Sequence, residues 1–341
     1  MLCEKGLYSR KKVKGVDLLF VIHLDIYNIV LVCPVPLLPS PFGKQSWTIG
    51  LKHIGYKNMM EGCMKIRKAI EAIEKTEAGL LIGRFGTIEF DVIWASKVGS
   101  VKSDMLATLE KNAGVFGNRT QINSWITEYT QAITAADILA TGWYQPIRVR
   151  EQKFLEGFTG IQVPLRSLEP YYWPADAQWS KLIRGKVCVV SSFADTIMSQ
   201  VKKDIFPGMW SPDIEWSTVR TGYAPSLALG RASWPGDVES WEDCVKGVVD
   251  DVLAIDPRVV IIGCGGLGMI IGSRLKEAGK ICLVIGGATQ VLFGIKGQRW
   301  ASHDVISKFW GADWVWPDAS ETPGGASEVE RGCYWGLNKT L

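Results

Sequence analysis

The sequence predicts an α/β fold with a largely parallel sheet flanked by helices, and three observations carry that expectation. Near-continuous apolar runs occur at 79–83 ("GLLIG"), 185–193 ("GKVCVVSSF"), 258–263 ("RVVIIG") and 281–287 ("ICLVIGG"). Strands covered on both faces read this way, because neither side meets water. Stretches with helical spacing lie between these runs. The segment 258–287 itself reads strand, glycine turn, helix, strand, which is a parallel crossover unit. Together these describe a Rossmann-like arrangement.

Residues 1–50 stand apart. The stretch 16–42, "VDLLFVIHLDIYNIVLVCPVPLLPSPF", is apolar, but Asp17, His23, Asp25 and Asn28 interrupt it. A centred Asp costs roughly 2.5–3.5 kcal/mol on insertion scales. Pro34, Pro36, Pro39 and Pro41 then stop a helix. No small-residue cleavage site follows. The expectation is an N-terminal extension, strand-rich or poorly ordered, with peripheral membrane contact as the alternative.

From there the elements follow in order. Met60, Cys63, Ile66, Ile70 and Ile73 recur at helical spacing within 56–75. "GLLIG" is the first buried strand, and a helix follows Gly86 with Thr87 as its N-cap candidate. Residues 118–136 read as a helix, and "DILATG" (137–142) as a strand. "GKVCVVSSF" is the next strand, with helices expected over 194–206 and 238–255. No linker-like stretch divides 50–335, so residues 51–341 are expected to form a single α/β domain.

Composition narrows the function classes. The chain has 341 residues, 47% apolar and 21% charged, in the ordinary globular range. Its net charge of +3 is too small to argue for a nucleic-acid surface. "SRKKVK" (9–14) reads as a solvated end. The eight cysteines form no C-x-x-C pair, and several sit in apolar runs. That points to a reducing, cytoplasmic compartment without structural zinc. His23, His53 and His303 lie far apart, which argues against a histidine metal centre.

In parallel sheets, ligands bind beyond the carboxyl ends of the strands. That rule brings the loops 84–89, 191–196, 263–268 and 286–299 to one crevice. "LLIGRFGTIEF" puts Arg84 and Glu89 at the mouth of a buried strand, where charge is costly unless paired. Either they form a structural ion pair or they serve a site. "GCGGLG" places Gly263, Gly265 and Gly268, with Gly266 between them, at G-x-G-x-x-G spacing after a strand. A dinucleotide site also wants an acid at the end of the next strand, and Gly286 and Gly287 stand there instead. The loop therefore suits another phosphate-bearing ligand, or close packing of helix on strand. "GGATQVLFGIKGQRW" (286–300) adds Gln290, Lys296 and Arg299, and two cations near glycine turns suit a diphosphate. If helical there, Lys296 and Arg299 share a face.

These residues resemble the GT-D-fold glycosyltransferases, which use nucleotide-sugar donors, and their uncharacterised bacterial and phage relatives. "RFGTIE" resembles that family's Arg-x-Gly-Asp-Gly-Glu signature, with Arg84, Gly86 and Glu89 in matching places. Residues 168–193 ("LEPYYWPADAQWSKLIRGKVCVVSSF"), 286–300 and 328–335 ("EVERGCYW") are similar to further family segments, so the likeness covers roughly 55–335. It implies a GT-D-like fold and transfer of a sugar, from a UDP-sugar by expectation, to a glycan or glycoconjugate hydroxyl. Here Thr87 stands in place of the family's first acid and Ile88 in place of a Gly. Glu89 is then the one motif ligand for Mn or Mg, a thin start for a hard cation.

The candidate catalytic residues are Glu89, Arg84 and, as runner-up base, Asp195. The candidate donor-binding set is Gly86, Thr87, Ser192, Gly263, Gly265, Gly266, Gly268, Gly286, Gly287, Gln290, Lys296 and Arg299. Arg84, Lys296 and Arg299 would stabilise charge on the departing diphosphate. Fifteen tryptophans offer stacking faces for sugars at 170–174, 208–216 and 313–317, or simply core packing. A catalytically inactive nucleotide-sugar binder and an NAD(P)-dependent oxidoreductase are the competing readings.

Overall fold

The computed structural model describes residues 7–13, 16–22, 53–329 and 332–336. The chain divides into two compact units, 1–54 and 55–341. In the first, β1 (Leu7–Val13) and β2 (Val16–Ile22) pair antiparallel, with Leu7 opposite Ile22. Most of the apolar stretch 16–42, including its four prolines, lies outside the described residues, as does His23. Among the described residues no helix is long and apolar enough to cross a membrane.

The amphipathic α1 (His53–Ile73), all but its first two residues in the larger unit, leads into the sheet at β3 (Leu80–Gly83). Then come α2 (Thr87–Lys97), α3 (Ser103–Ala113), α4 (Arg119–Thr134) and β4 (Ile138–Thr141). Asn118 caps α4 in a reciprocal box with Gln121, which fixes where that helix starts. The chain continues through α5 (Arg148–Phe154), β5 (Ile161–Pro164), β6 (Gly185–Ser191), α6 (Ala194–Gln200) and β7 (Ile214–Arg220). It ends with α7 (Pro225–Ala228), α8 (Trp241–Ile255), β8 (Val259–Gly263), α9 (Gly268–Glu277), β9 (Ile281–Val284) and α10 (Ala288–Leu292), followed by short 3₁₀ turns.

Strands β3 to β9 form one seven-stranded sheet in the order β5-β4-β3-β9-β8-β6-β7, and every pairing is parallel. Alternate residues of each central strand feed two different cores. Leu81, Cys188, Val190, Val260 and Ile262 pack on one face, against Trp125 and Tyr129 of α4, Val248 of α8 and Ile271 of α9. Leu80, Ile82, Val187, Val189 and Ile261 pack on the other, against Ile66 and Ile70 of α1, Ile197 of α6 and Val291 of α10. The near-continuous apolar runs follow directly from this double burial.

Three expectations need correction. Gly86 is the N-cap of α2 and Thr87 its first helical residue. Helix α6 stops at Gln200, short of the 206 that spacing suggested. Lys296 and Arg299 share no helix, because α10 ends at Leu292 and Arg299 lies in a separate 3₁₀ turn over Gln298–Trp300.

The first three sheet strands step outward to one edge, and the last four fill the other half. The direction of travel therefore reverses where β3 meets β9, which is where parallel sheets open a crevice.

Candidate functional site

A cavity of about 560 Å³ opens at that reversal, along the carboxyl ends of the strands. Trp143 follows β4, Arg84 follows β3, Gly286 follows β9, Gly263 ends β8, Ser191 ends β6 and Thr221 follows β7; all of them line it. Six neighbouring strands at a spacing of about 4.8 Å make a floor of roughly 24 Å. The first loops of all four expected segments thus reach one site.

Arg84 is its clearest feature. The guanidinium is half-buried, stands over the Trp143 ring at 5.5 Å and lies against Gly286. A Cβ added at Gly286 would sit 2.5 Å from Arg84 Nη2. Gly286 also has φ of +58°, a conformation that a side chain would strain. Among the described residues no carboxylate lies within the 4.0 Å of an ion pair, and no hydrogen bond engages the group. The ion pair with Glu89 that would have explained Arg84 structurally is not formed.

Glu89 is 7% exposed and occupies the first turn of α2, with its carboxylate turned back onto Gly86. A Cβ at Gly86 would meet that carboxylate and oblige the Glu89 side chain to shift. Burial raises the Glu89 pKa, while its own backbone N–H and Arg84 pull it down. Tyr129 lies beside it, and burial followed by the Glu89 charge pushes that phenol up as well. Asp91, two residues on, faces elsewhere and pairs with Arg150 at 2.8 Å.

The second cation flanks the same glycine turn. A Cβ at Gly287 would lie 3.4 Å from Arg299 Nη1. Arg299 stacks on Tyr334 at 4.4 Å, and its Nη1 donates to the Tyr334 hydroxyl at 3.1 Å. Gln290 lines the cavity, but its amide Nε2 donates to the carbonyls of Lys296 and Tyr334, both at 2.8 Å. Its visible work is to tie the 286–299 loop to the C-terminal segment.

Thr87, Gly86, Ser192, Gly263, Gly265 and Gly287 also line the cavity. Ser192 accepts the Tyr223 hydroxyl at 2.8 Å. Gly266, Gly268, Lys296 and Asp195 do not line it. Gly266 and Gly268 serve packing. A Cβ on Gly266 would meet Val115 at 2.6 Å, and one on Gly268 would meet Val284 at 3.1 Å. The Lys296 ammonium lies over the Trp310 ring at 5.8 Å. Asp195 is exposed and meets Arg220 at 3.5 Å. Its backbone N–H, with the N–H and hydroxyl of Thr196, serves the buried Glu321 carboxylate.

Among the titratable residues that sequence reasoning did not place in the site, Glu169 and His303 also line the cavity. Glu169 lies between two 3₁₀ turns after β5, and burial lifts its pKa to about 7 against the pull of Tyr171, Arg166 and Arg84. His303 has Nδ1 accepting from Val305 N and Ile306 N, both at 3.2 Å, which leaves Nε2 to carry the proton. Burial, then Arg166, lowers its pKa and favours the neutral ring. The one signal for Glu169 was its place at the head of the 168–193 segment. The tryptophans expected at 170–174, 208–216 and 313–317 build the core: Trp173 and Trp314 are buried, and Trp210 and Trp216 pack around Phe293. The cavity takes Trp143, Trp234, Trp300 and Trp335 instead.

The resemblance to GT-D enzymes implies a divalent ion, and the donor set can be tested against one. Glu89 offers a carboxylate that faces Gly86, and Thr87 offers one hydroxyl. Among the described residues no group of three or more His, Cys, Asp or Glu side chains could hold a metal. Hard cations take several oxygen ligands, and these residues do not fit one.

No protein-family model matches the chain, and no curated protein matches it. Two solved structures are similar to it. One is a selenomethionine-substituted structure of the domain of unknown function 1792, with a TM-score of 0.43. The other is described as showing that this highly conserved domain has a distinct glycosyltransferase fold, with a TM-score of 0.42. Each is 11% identical, and each alignment covers 78% of this chain and 96% of the other.

Proposed function

We propose that this chain is a glycosyltransferase, moving a sugar from a nucleoside diphosphate sugar, a UDP-sugar first among them, to a hydroxyl of a glycan or glycoconjugate. The observation that carries this reading is the Gly286–Gly287 turn with a guanidinium on either side, one of them without an anionic partner. Bare backbone lets a diphosphate approach closely, and guanidinium forks match phosphate oxygens. The resemblance of 84–89, 168–193, 286–300 and 328–335 to GT-D enzymes supports the same chemistry.

Transfer breaks the bond between the sugar C1 and the diphosphate oxygen, and negative charge grows on the leaving group. Cations already fixed around the cavity stabilise that charge without reorganising. Arg84 and Arg299 take this role. The acceptor hydroxyl must also lose a proton, and the cavity offers two carboxyls, Glu89 and Glu169. Thr87 in place of the first acid favours a second reading, a binder without turnover.

A panel of nucleotide sugars, with and without manganese, and NAD(P) separates the readings. Release of nucleoside diphosphate from at least one donor is expected. Binding of UDP without release from any donor identifies a binder. Thermal stabilisation by NAD(P) alone overturns both readings in favour of an oxidoreductase.

A further inference from the structure

We propose that Glu169 is the catalytic base of the transfer, and that Glu89 is a positioning residue holding the Arg84 turn. The inference rests on the transferase reading above. It starts from how differently the two carboxyls are held.

Glu89 is engaged at the start of its own helix: its carboxylate closes on Gly86 and on its own N–H. A carboxylate there completes the helix terminus and sits well in its dipole. Glu169 has no such task. Among the described residues its carboxyl has no ion pair; it lies beside the Tyr171 hydroxyl, lines the cavity and feels Arg166 and Arg84. The cation that would hold the diphosphate lines the same cavity, and its charge lowers the pKa of this acid. The acid therefore shares the cavity with the diphosphate site, where an acceptor hydroxyl entering the cavity can meet it.

The mount is rigid although it is a loop. Ser167 Oγ donates to Met59 O at 2.8 Å, Trp173 Nε1 to Arg166 O at 2.6 Å and Trp179 Nε1 to Leu168 O at 2.9 Å. The backbone of Glu169 itself donates to Arg166 O and accepts from Tyr172 N, each at 3.2 Å. Catalytic groups need such support to hold their geometry. The groups facing the carboxyl are Arg84 beyond β3, Arg166 in the preceding turn, and Tyr171 and Tyr172 in the following one. Burial outweighs the Tyr171 hydroxyl and the two cations and sets the pKa at about 7, so the acid can both accept a proton and release it at neutral pH.

The step balances. Glu169 carboxylate takes the acceptor O–H proton and becomes the neutral acid. The freed electron pair forms the new bond to C1. The C1–O pair leaves with the diphosphate, whose added negative charge meets Arg84 and Arg299.

The test uses the full chain, UDP as binding probe, and an equimolar mixture of UDP-glucose, UDP-galactose and UDP-N-acetylglucosamine as donors. Glu169→Gln is expected to bind UDP within about twofold of wild type and to release it about 10²-fold more slowly, the ordinary worth of a general base. Glu169→Asp should restore part of the rate. In wild type, turnover should rise with pH through about 7. Turnover within about threefold of wild type in Glu169→Gln overturns the inference and leaves the transferase reading standing. So does a flat wild-type profile between about pH 5 and 9, which needs no variant to fold. A wild type that neither binds UDP nor releases it removes the UDP-sugar reading on which this inference rests, and the inference with it. One that binds UDP and releases none from these donors overturns the inference and favours the binder.

Discussion

The two edges of the sheet treat buried charge in opposite ways. At the amino ends of the strands, Arg258 donates to the carbonyls of Ile73, Thr76, Ala78 and Gly279. Beside it, Asp137 accepts from Leu81 N at 2.7 Å and from Lys276 Nζ at 2.8 Å, and Lys276 also reaches Ala135 O. Every one of these charges is spent on tying backbone together. At the carboxyl ends, Arg84 and Glu169 have no such partners among the described residues. The same residue types tie backbone together at one edge, while at the other Arg84 stands over an aromatic ring and Glu169 beside a phenol, both facing the cavity. A desolvated charge without a partner costs free energy, so a fold keeps one where a ligand supplies the missing half.

The sharpest way to break this contrast is to remove each arginine in turn. Arg84→Ala should cost about 10²–10³-fold in UDP release, roughly 3–4 kcal/mol of transition-state stabilisation, with little change in melting temperature. Arg258→Ala should do the reverse. Losing bonds to four carbonyls, some of which can turn to water, should lower unfolding free energy by about 2–3 kcal/mol in urea titration and leave the affinity for UDP unchanged. If Arg84→Ala destabilises as much as Arg258→Ala, the two edges are alike and the site assignment loses its basis.

How far this contrast could be read from the sequence follows from what range each signal spans. The buried strands were legible because burial on both faces writes itself into consecutive residues: "GLLIG" became β3, "GKVCVVSSF" β6, "RVVIIG" β8 and "ICLVIGG" β9. The edge strands were not. β7 reads "IEWSTVR" and β5 "IQVP", each half-exposed and therefore mixed in polarity. The rule that loops after parallel strands converge brought Arg84, Gly263, Gly286 and Arg299 to one cavity. It did not reach Glu169, because β5, the strand that ends five residues before it, was not legible, nor His303, which arrives from a loop far from any strand end. Nor does local pattern tell a cavity glycine such as Gly263 from a packing glycine such as Gly268, since both follow the same motif and differ only in what lies opposite.

Gly286→Ala sharpens the comparison at smaller scale. The left-handed backbone alone should cost about 1–2 kcal/mol of stability. The new Cβ would also sit 2.5 Å from Arg84 Nη2, and the long arginine side chain can swing away to relieve it. Affinity for UDP should then fall about tenfold, by calorimetry, with less loss of turnover at saturation than Arg84→Ala shows. Equal losses in both would mean that the glycine matters for more than seating the arginine.

The smallest expected effect concerns stability against pH, and it separates the edges once more. Burial raises the Glu169 carboxyl from 4.5 to about 7, so the folded state holds this proton more tightly than the unfolded chain. Its contribution is fully present below about pH 4.5 and is lost as pH rises through about 7. Glu89 and Glu321 shift in the same direction, so wild type should lose melting temperature across this window from several groups at once. Glu169→Gln, which stays neutral, should flatten part of that slope, and the gain should appear at pH 8 rather than at pH 5. Arg258→Ala should lower both melting temperatures without changing the slope, because the carbonyls it serves do not titrate. A slope unchanged in Glu169→Gln would mean that water or an unseen partner already solvates this carboxyl, and that the carboxyl edge bears less uncompensated charge than its geometry implies.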